Sequence, residues 1–127
     1  MRPFPEFRPK AVHPYAWLWE PLESDPSFVL RTMFGAKSVY LGGQLQLCFP
    51  HKEEPWRGLL VCTDKTHHPS LIRDFPVLAP HPVLPKWLYL SDSSDAFDST
   101  AERLVERVRR RDSRIGVAPQ TKKRKKA

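Results

Sequence analysis

Cysteine is scarce in this chain. Cys48 and Cys62 are the only two in 127 residues, and no CxxC spacing joins them. Two cysteines cannot staple a small domain, so a disulfide scaffold is excluded. If 44–49 and 58–63 pair as a hairpin about the loop between them, Cys48 falls opposite residues 59–60 and not opposite 62. No bridge is therefore expected, and the two thiols read as buried side chains in a reducing cytoplasm. Long apolar runs are missing as well: none approaches the roughly 18 residues that span a bilayer. The first thirteen residues, broken by Pro3, Pro5 and Pro9, contain no signal-peptide core. Also absent are GxSxG, a local Cys–His signature and a phosphate-cradling glycine loop. No catalytic residue, cofactor or metal site is nominated, and an enzyme is not expected.

What is present begins with proline and aromatics. One domain is the expectation for this length, and a chain of this size can fold without disulfides or metal. Seven Phe, four Trp and three Tyr supply large core side chains. Fourteen prolines are too many for an all-helical protein, and their clusters near 3–14 and 76–85 mark extended connections. Charge is uneven. From residue 103 to 126 there are eleven Lys/Arg against two acids, a net +9, whereas 1–102 carries ten basic and twelve acidic side chains, a net −2. The basicity belongs to the last helix and the tail, not to the body of the fold.

Periodicity orders the elements. Pro14 suits a first helical position, and Tyr15, Leu18, Trp19 and Leu22 follow the i, i+3, i+4, i+7 spacing of one buried helix face until Pro21 ends it. Strands are expected over 39–41 and 44–49 about a Gly42-Gly43 turn, with Leu45, Leu47 and Phe49 facing one way and Gln44, Gln46 and Cys48 the other. A third strand over 58–63, a short helix from Thr66 to Phe75 and a strand over 86–91 follow, with room for one more near 77–79. Ser99 and Glu102 fit a capping box opening a helix over 100–112, striped by Ala101, Leu104, Val105 and Val108. The order α-β-β-β-α-β-α predicts an α+β domain of two layers, with an antiparallel sheet of four to five strands and helices on one face. The leader is set at 1–13, the domain at 14–117 and a disordered basic tail at 118–127.

The run Arg31-Thr-Met33-Phe34-Gly35, followed by Tyr40, Gly43 and an apolar strand, resembles the N-terminal domain of the TfoX family across roughly residues 15–112. The resemblance implies the same small α+β, secretion-chaperone-like fold and an accessory or regulatory binding role without catalysis. It departs from the family at Ala36, where a second glycine is usual, and in the longer, more charged loop 51–57. A basic tail stands where full-length TfoX regulators carry a second domain, so a competence role is not implied.

Several side chains then compete for a functional reading. In the motif, Phe34 reads as core and Gly35 as a close backbone approach; Arg31 alone carries chemistry, able to receive a carboxylate or phosphate. His67 and His68 lack the i, i+4 spacing of a helical metal grip, and Thr66 and His68 read as exposed and unliganded at a helix start. The acidic run 91–98 lacks the glycine of a calcium loop and reads as a solvated lead-in to the last helix. The basic end carries the functional lean. Arg109, Arg110, Arg111 and Arg114, with Lys122, Lys123, Arg124, Lys125 and Lys126, form an electrostatic footprint for non-specific nucleic-acid contact. The competing expectation is a protein–protein adaptor or dimerisation module that uses an exposed Trp17, Trp56 or Trp87, with the tail only solubilising.

Overall fold

The computed structural model describes residues 13–33 and 35–118. Helix α1 occupies Ala16–Trp19 and tightens into a 3-10 turn over Glu20–Leu22, because Pro21 has no N–H with which to continue the α-helical ladder. Tyr15, Leu18, Trp19 and Leu22 are all buried, as their spacing predicts. Six strands follow: β1 (Val29–Met33), β2 (Ala36–Leu41), β3 (Gln44–Phe49), β4 (Gly58–Val61), β5 (Ala79–Pro80) and β6 (Leu88–Ser91). They form one antiparallel sheet in the order β1-β2-β3-β4-β6-β5. Helices α2 (His68–Asp74) and α3 (Phe97–Arg109) complete an α+β fold of two layers. No helix among the described residues is long and apolar enough to cross a membrane.

The expected order is one strand short at the front, and six strands replace the four to five expected. The missing strand, β1, contains the Arg31–Met33 part of the motif. It lies at the sheet edge with Val29, Arg31 and Thr32 exposed, so it lacks the apolar alternation that marks a buried strand. The hairpin from β2 to β3 turns at Gly42 and Gly43, at φ 59° and 80°, both in the left-handed region that the two-residue turn demands.

A bulge in β3 corrects a second expectation. Val39 pairs with Leu47, but Tyr40 pairs with Leu45, so Gln46 is an extra residue in the ladder. The alternation flips there. Leu47 and Phe49 join the main core, whereas Leu45 faces the opposite side with Cys48. Both faces of β3 are consequently buried from Leu45 to Phe49, not one face only.

The α3 start is also earlier than predicted. The helix begins at Phe97 with Ala96 as its cap, no side chain caps it, and Ser99 Oγ instead donates to the Ala96 carbonyl at 3.4 Å. Phe97 explains the shift: it is buried and its ring lies 5.5 Å from that of Tyr15. Burying a phenylalanine is worth about 1.5–3 kcal/mol, more than the ~1 kcal/mol of a typical N-cap. The helix ends at Arg109, with Arg111 in the left-handed region at φ 60°. All three helices pack on one face of the sheet, where Leu18, Leu71 and Leu104 meet Val39, Leu47, Phe49, Leu59 and Leu88.

Candidate functional site

The sheet face opposite the helices carries a smaller cluster, Leu45, Cys48, Leu60 and Cys62, ringed by half-buried aromatics. Over it opens a pocket of about 410 Å³. Strands supply its floor, with Cys48 from β3 and Leu60 from β4, and Met33 and Ala36 from the β1–β2 hairpin form one side. Two loops supply its walls: Trp56 stands on the 50–57 connection, and Leu84 and Trp87 stand on the segment before β6.

Those loops are held together by His81, which is fully buried. Its Nδ1 accepts the backbone N–H groups of Val83 and Leu84, each at 3.0 Å. The ring proton therefore sits on Nε2, which donates to the Pro55 carbonyl at 2.6 Å. The imidazole also lies 4.3 Å from the Trp56 ring. Tyr89 pins the same loop from beneath: its hydroxyl accepts Arg57 N–H at 2.8 Å and donates to Glu54 at 2.7 Å. Burial and the Glu54 carboxylate push that hydroxyl up to about 12. Ser91 Oγ donates to the other oxygen of Glu54. The walls are thus built parts of the fold, although 51–57 reads in sequence as a plain polar loop.

Cations edge this apolar space. Lys52 lines the pocket and its side chain lies close against Gly35, where an added Cβ would come 2.5 Å from Lys52 Cε. Arg31 sits over the Tyr40 ring at 5.7 Å and Lys86 over Trp87 at 5.9 Å. Among the described residues, none of these three enters an ion pair. Among the described residues, Trp87 Nε1 is buried without a hydrogen-bond partner, which is costly for an indole N–H.

Beneath the pocket the two thiols meet. The register is the one expected, with Cys48 opposite Leu60, yet Cys48 Sγ and Cys62 Sγ are 3.8 Å apart. Both side chains lie on the same face, and the diagonal brings them together. Cys62 is fully buried, and burial pushes its thiol up well above the ordinary range. Cys48 moves the other way, because Cys62 S–H and then Ser38 O–H favour its thiolate. Sequence spacing excluded a direct cross-strand pair but could not measure the diagonal.

The remaining nominated residues are spread over the molecule. Met33 reaches the pocket; Tyr40 belongs to the same cluster; Gly43 is only in the hairpin turn. Phe34 lies outside the described residues, as do Lys122, Lys123, Arg124, Lys125 and Lys126. The four arginines within the fold all hold carboxylates. Arg109 and Arg110 share Glu106 at 2.7 Å each, Arg111 holds Asp25 at 2.8 Å, and Arg114 holds Asp112 at 2.7 Å and Asp74 at 2.9 Å. The described residues carry thirteen Lys/Arg and thirteen Asp/Glu, so the fold itself is electroneutral. Thr66 is exposed as expected, but His68 is half-buried, its Nε2 bonding the Lys86 carbonyl at 2.9 Å, and His67 is half-buried beside it. Of the three tryptophans named above, Trp17 is exposed, while Trp56 and Trp87 are half-buried in the pocket walls. No protein-family model, curated protein or solved structure matches the chain.

Proposed function

We propose that this chain is a non-enzymatic binding domain, of the accessory or regulatory kind that its TfoX-like motif implies, and that its ligand is a small apolar carboxylate. The carrying observation is a 410 Å³ apolar pocket lined by Lys52, which enters no ion pair among the described residues. Ligand sites of this size are typically apolar with a few placed polar groups. Lys52 supplies the one charge, and Arg31 and Lys86 add positive potential nearby. The Glu54 carboxylate is held by the Tyr89 and Ser91 hydroxyls and forms no ion pair with Lys52 among the described residues. Trp56 and Trp87 offer flat faces for an aromatic or alkyl body.

The test is a fluorescence titration with naphthalene-2-carboxylate and with its neutral amide. The carboxylate is expected to quench the pocket tryptophans at saturation. Lys52→Met should weaken it by roughly tenfold, the value of one charge-assisted hydrogen bond, and leave the amide unchanged. Leu60→Trp should abolish binding of both by filling the floor. Binding indifferent to Leu60→Trp would refute the site.

Nucleic-acid contact, on this reading, belongs to Lys122, Lys123, Arg124, Lys125 and Lys126, because Arg109, Arg110, Arg111 and Arg114 already hold carboxylates of the fold. Removing 119–127 is then expected to abolish duplex-DNA binding. Five phosphate contacts would give a salt slope of about −4.5 for the full chain. Equal affinity with and without the segment would overturn this half of the proposal.

A further inference from the structure

We infer that Cys48 and Cys62 form a two-sulfur site for a soft, thiophilic metal ion of the monovalent-copper class. This does not rest on the carboxylate reading; it uses the pocket only as the way in. Three chemistries compete for a close thiol pair, and geometry separates them.

A disulfide fits poorly. Cys48 pairs with Leu60, so Cys62 is its diagonal neighbour, and diagonal Cα atoms in an antiparallel ladder lie about 7–8 Å apart. A disulfide wants roughly 4.4–6.8 Å. The strands would have to shift, and both are central in the sheet.

The sulfur separation suits a bridging ion. With metal–sulfur bonds of about 2.3 Å, two sulfurs 3.8 Å apart subtend about 110° at the metal. Such an angle leaves further coordination open, and the Met33 thioether packs against the same cluster and lines the same pocket.

The donor set selects the ion. The pocket lining contains no His, Asp or Glu, and zinc would need two more nitrogen, oxygen or sulfur ligands to close a tetrahedron. Thiolate and thioether together favour monovalent copper. Binding releases two protons, one from each thiol, and leaves a complex of net charge −1. Lys86, whose charge acts on Cys62, offsets it. Access is through Cys48, which lines the pocket floor.

The test uses the full chain, reduced and free of oxygen, titrated against the coloured copper(I) complex of bicinchoninate. One ion per chain should leave the chelator, with a sulfur-to-copper charge-transfer band. X-ray absorption at the copper edge should place sulfur at about 2.3 Å; it needs no variant, which matters because Cys62 is fully buried. Cys48→Ala, at the pocket floor, should weaken binding on the order of a hundredfold. Copper left with the chelator, nitrogen or oxygen ligands at the edge, full affinity in Cys48→Ala, or uptake of zinc in preference to copper would each overturn the assignment. Loss of carboxylate binding with copper uptake intact, or the reverse, keeps the two proposals distinguishable.

Discussion

On the helix-covered face of the sheet, twenty-one buried side chains form one continuous cluster; on the opposite face there are four, and the space above them is open. The same strands build both, so the difference lies in what covers them. Helices bury a wide apolar stripe and leave no room. Two pinned loops, 50–57 and 81–87, cover only the rim of the other face and leave a pocket. Stability is therefore concentrated on one face and chemistry on the other. Lys52, Arg31 and Lys86, which enter no ion pair among the described residues, and both thiols lie on the thin side, whereas Arg107, Arg109, Arg110, Arg111 and Arg114 of α3 and its exit are tied to carboxylates of the fold.

That division can be broken most directly in the core. Phe49 is fully buried on the covered face, and Phe49→Ala is expected to cost about 3–5 kcal/mol. Leu60→Ala on the pocket floor should cost less, about 2 kcal/mol, because its side chain borders existing space and strands fewer contacts. Urea unfolding of both variants makes the comparison. If Leu60→Ala proves as damaging as Phe49→Ala, the pocket face contributes to stability as fully as the core, and the division fails.

A smaller effect concerns the closing of the covered face at its edge. Arg114 donates to Asp112 and Asp74, and Thr63 Oγ1 donates to the Arg114 carbonyl at 2.6 Å. The Arg114 and Asp112 side chains are 19% and 13% exposed, so the pair lies between surface and interior. Arg114→Met is expected to cost about 1–2 kcal/mol, between the values for exposed and buried pairs. Its sign with pH follows from the carboxyls. Arg114 holds Asp112 down to about 2 and lowers Asp74 as well. Carboxyls depressed in the folded state stabilise it fully above their unfolded value near 4, and that contribution fades as pH falls towards 2. Wild type should therefore lose stability between about pH 4 and 2, and Arg114→Met should lose less over the same window. Parallel curves would remove Arg114 from the account.

Much of the covered face was legible from residue spacing alone. The stripes at Tyr15, Leu18, Trp19 and Leu22, and at Ala101, Leu104, Val105 and Val108, record a helix meeting a flat apolar surface, and periodicity is the direct imprint of that contact. The pocket face left no such imprint. Its lining comes from Met33, Cys48, Trp56, Leu60 and Trp87, separated in sequence and on five different segments, so no window contains the pattern. The β3 bulge erased even the local one, moving Leu45 across the sheet by a single extra residue at Gln46. His81 gave no signal either, since its role is to join two loops by backbone contacts. Strand β1 was hidden for a related reason: an edge strand with three exposed residues looks like a motif and not like a ladder.

Trp17 sharpens the comparison from outside both layers. It is 43% exposed and lies over a shallow groove between α1 and α3, beside Pro21, Glu102 and Val105. An exposed aromatic there is the residue a protein-docking role would use, and it is on the opposite side of the sheet from the pocket. Single exposed aromatics are common on surfaces and are not in themselves interaction sites. If the pocket face alone carries binding, Trp17→Ser should change stability by no more than about 0.5 kcal/mol, leave the sedimentation behaviour of the chain unchanged, and leave the carboxylate titration where it was. A fall in carboxylate affinity would mean that the two faces communicate through the core. A change in assembly without a change in affinity would give the covered side its own partner, and the division of roles would then run between two binding surfaces rather than between stability and binding.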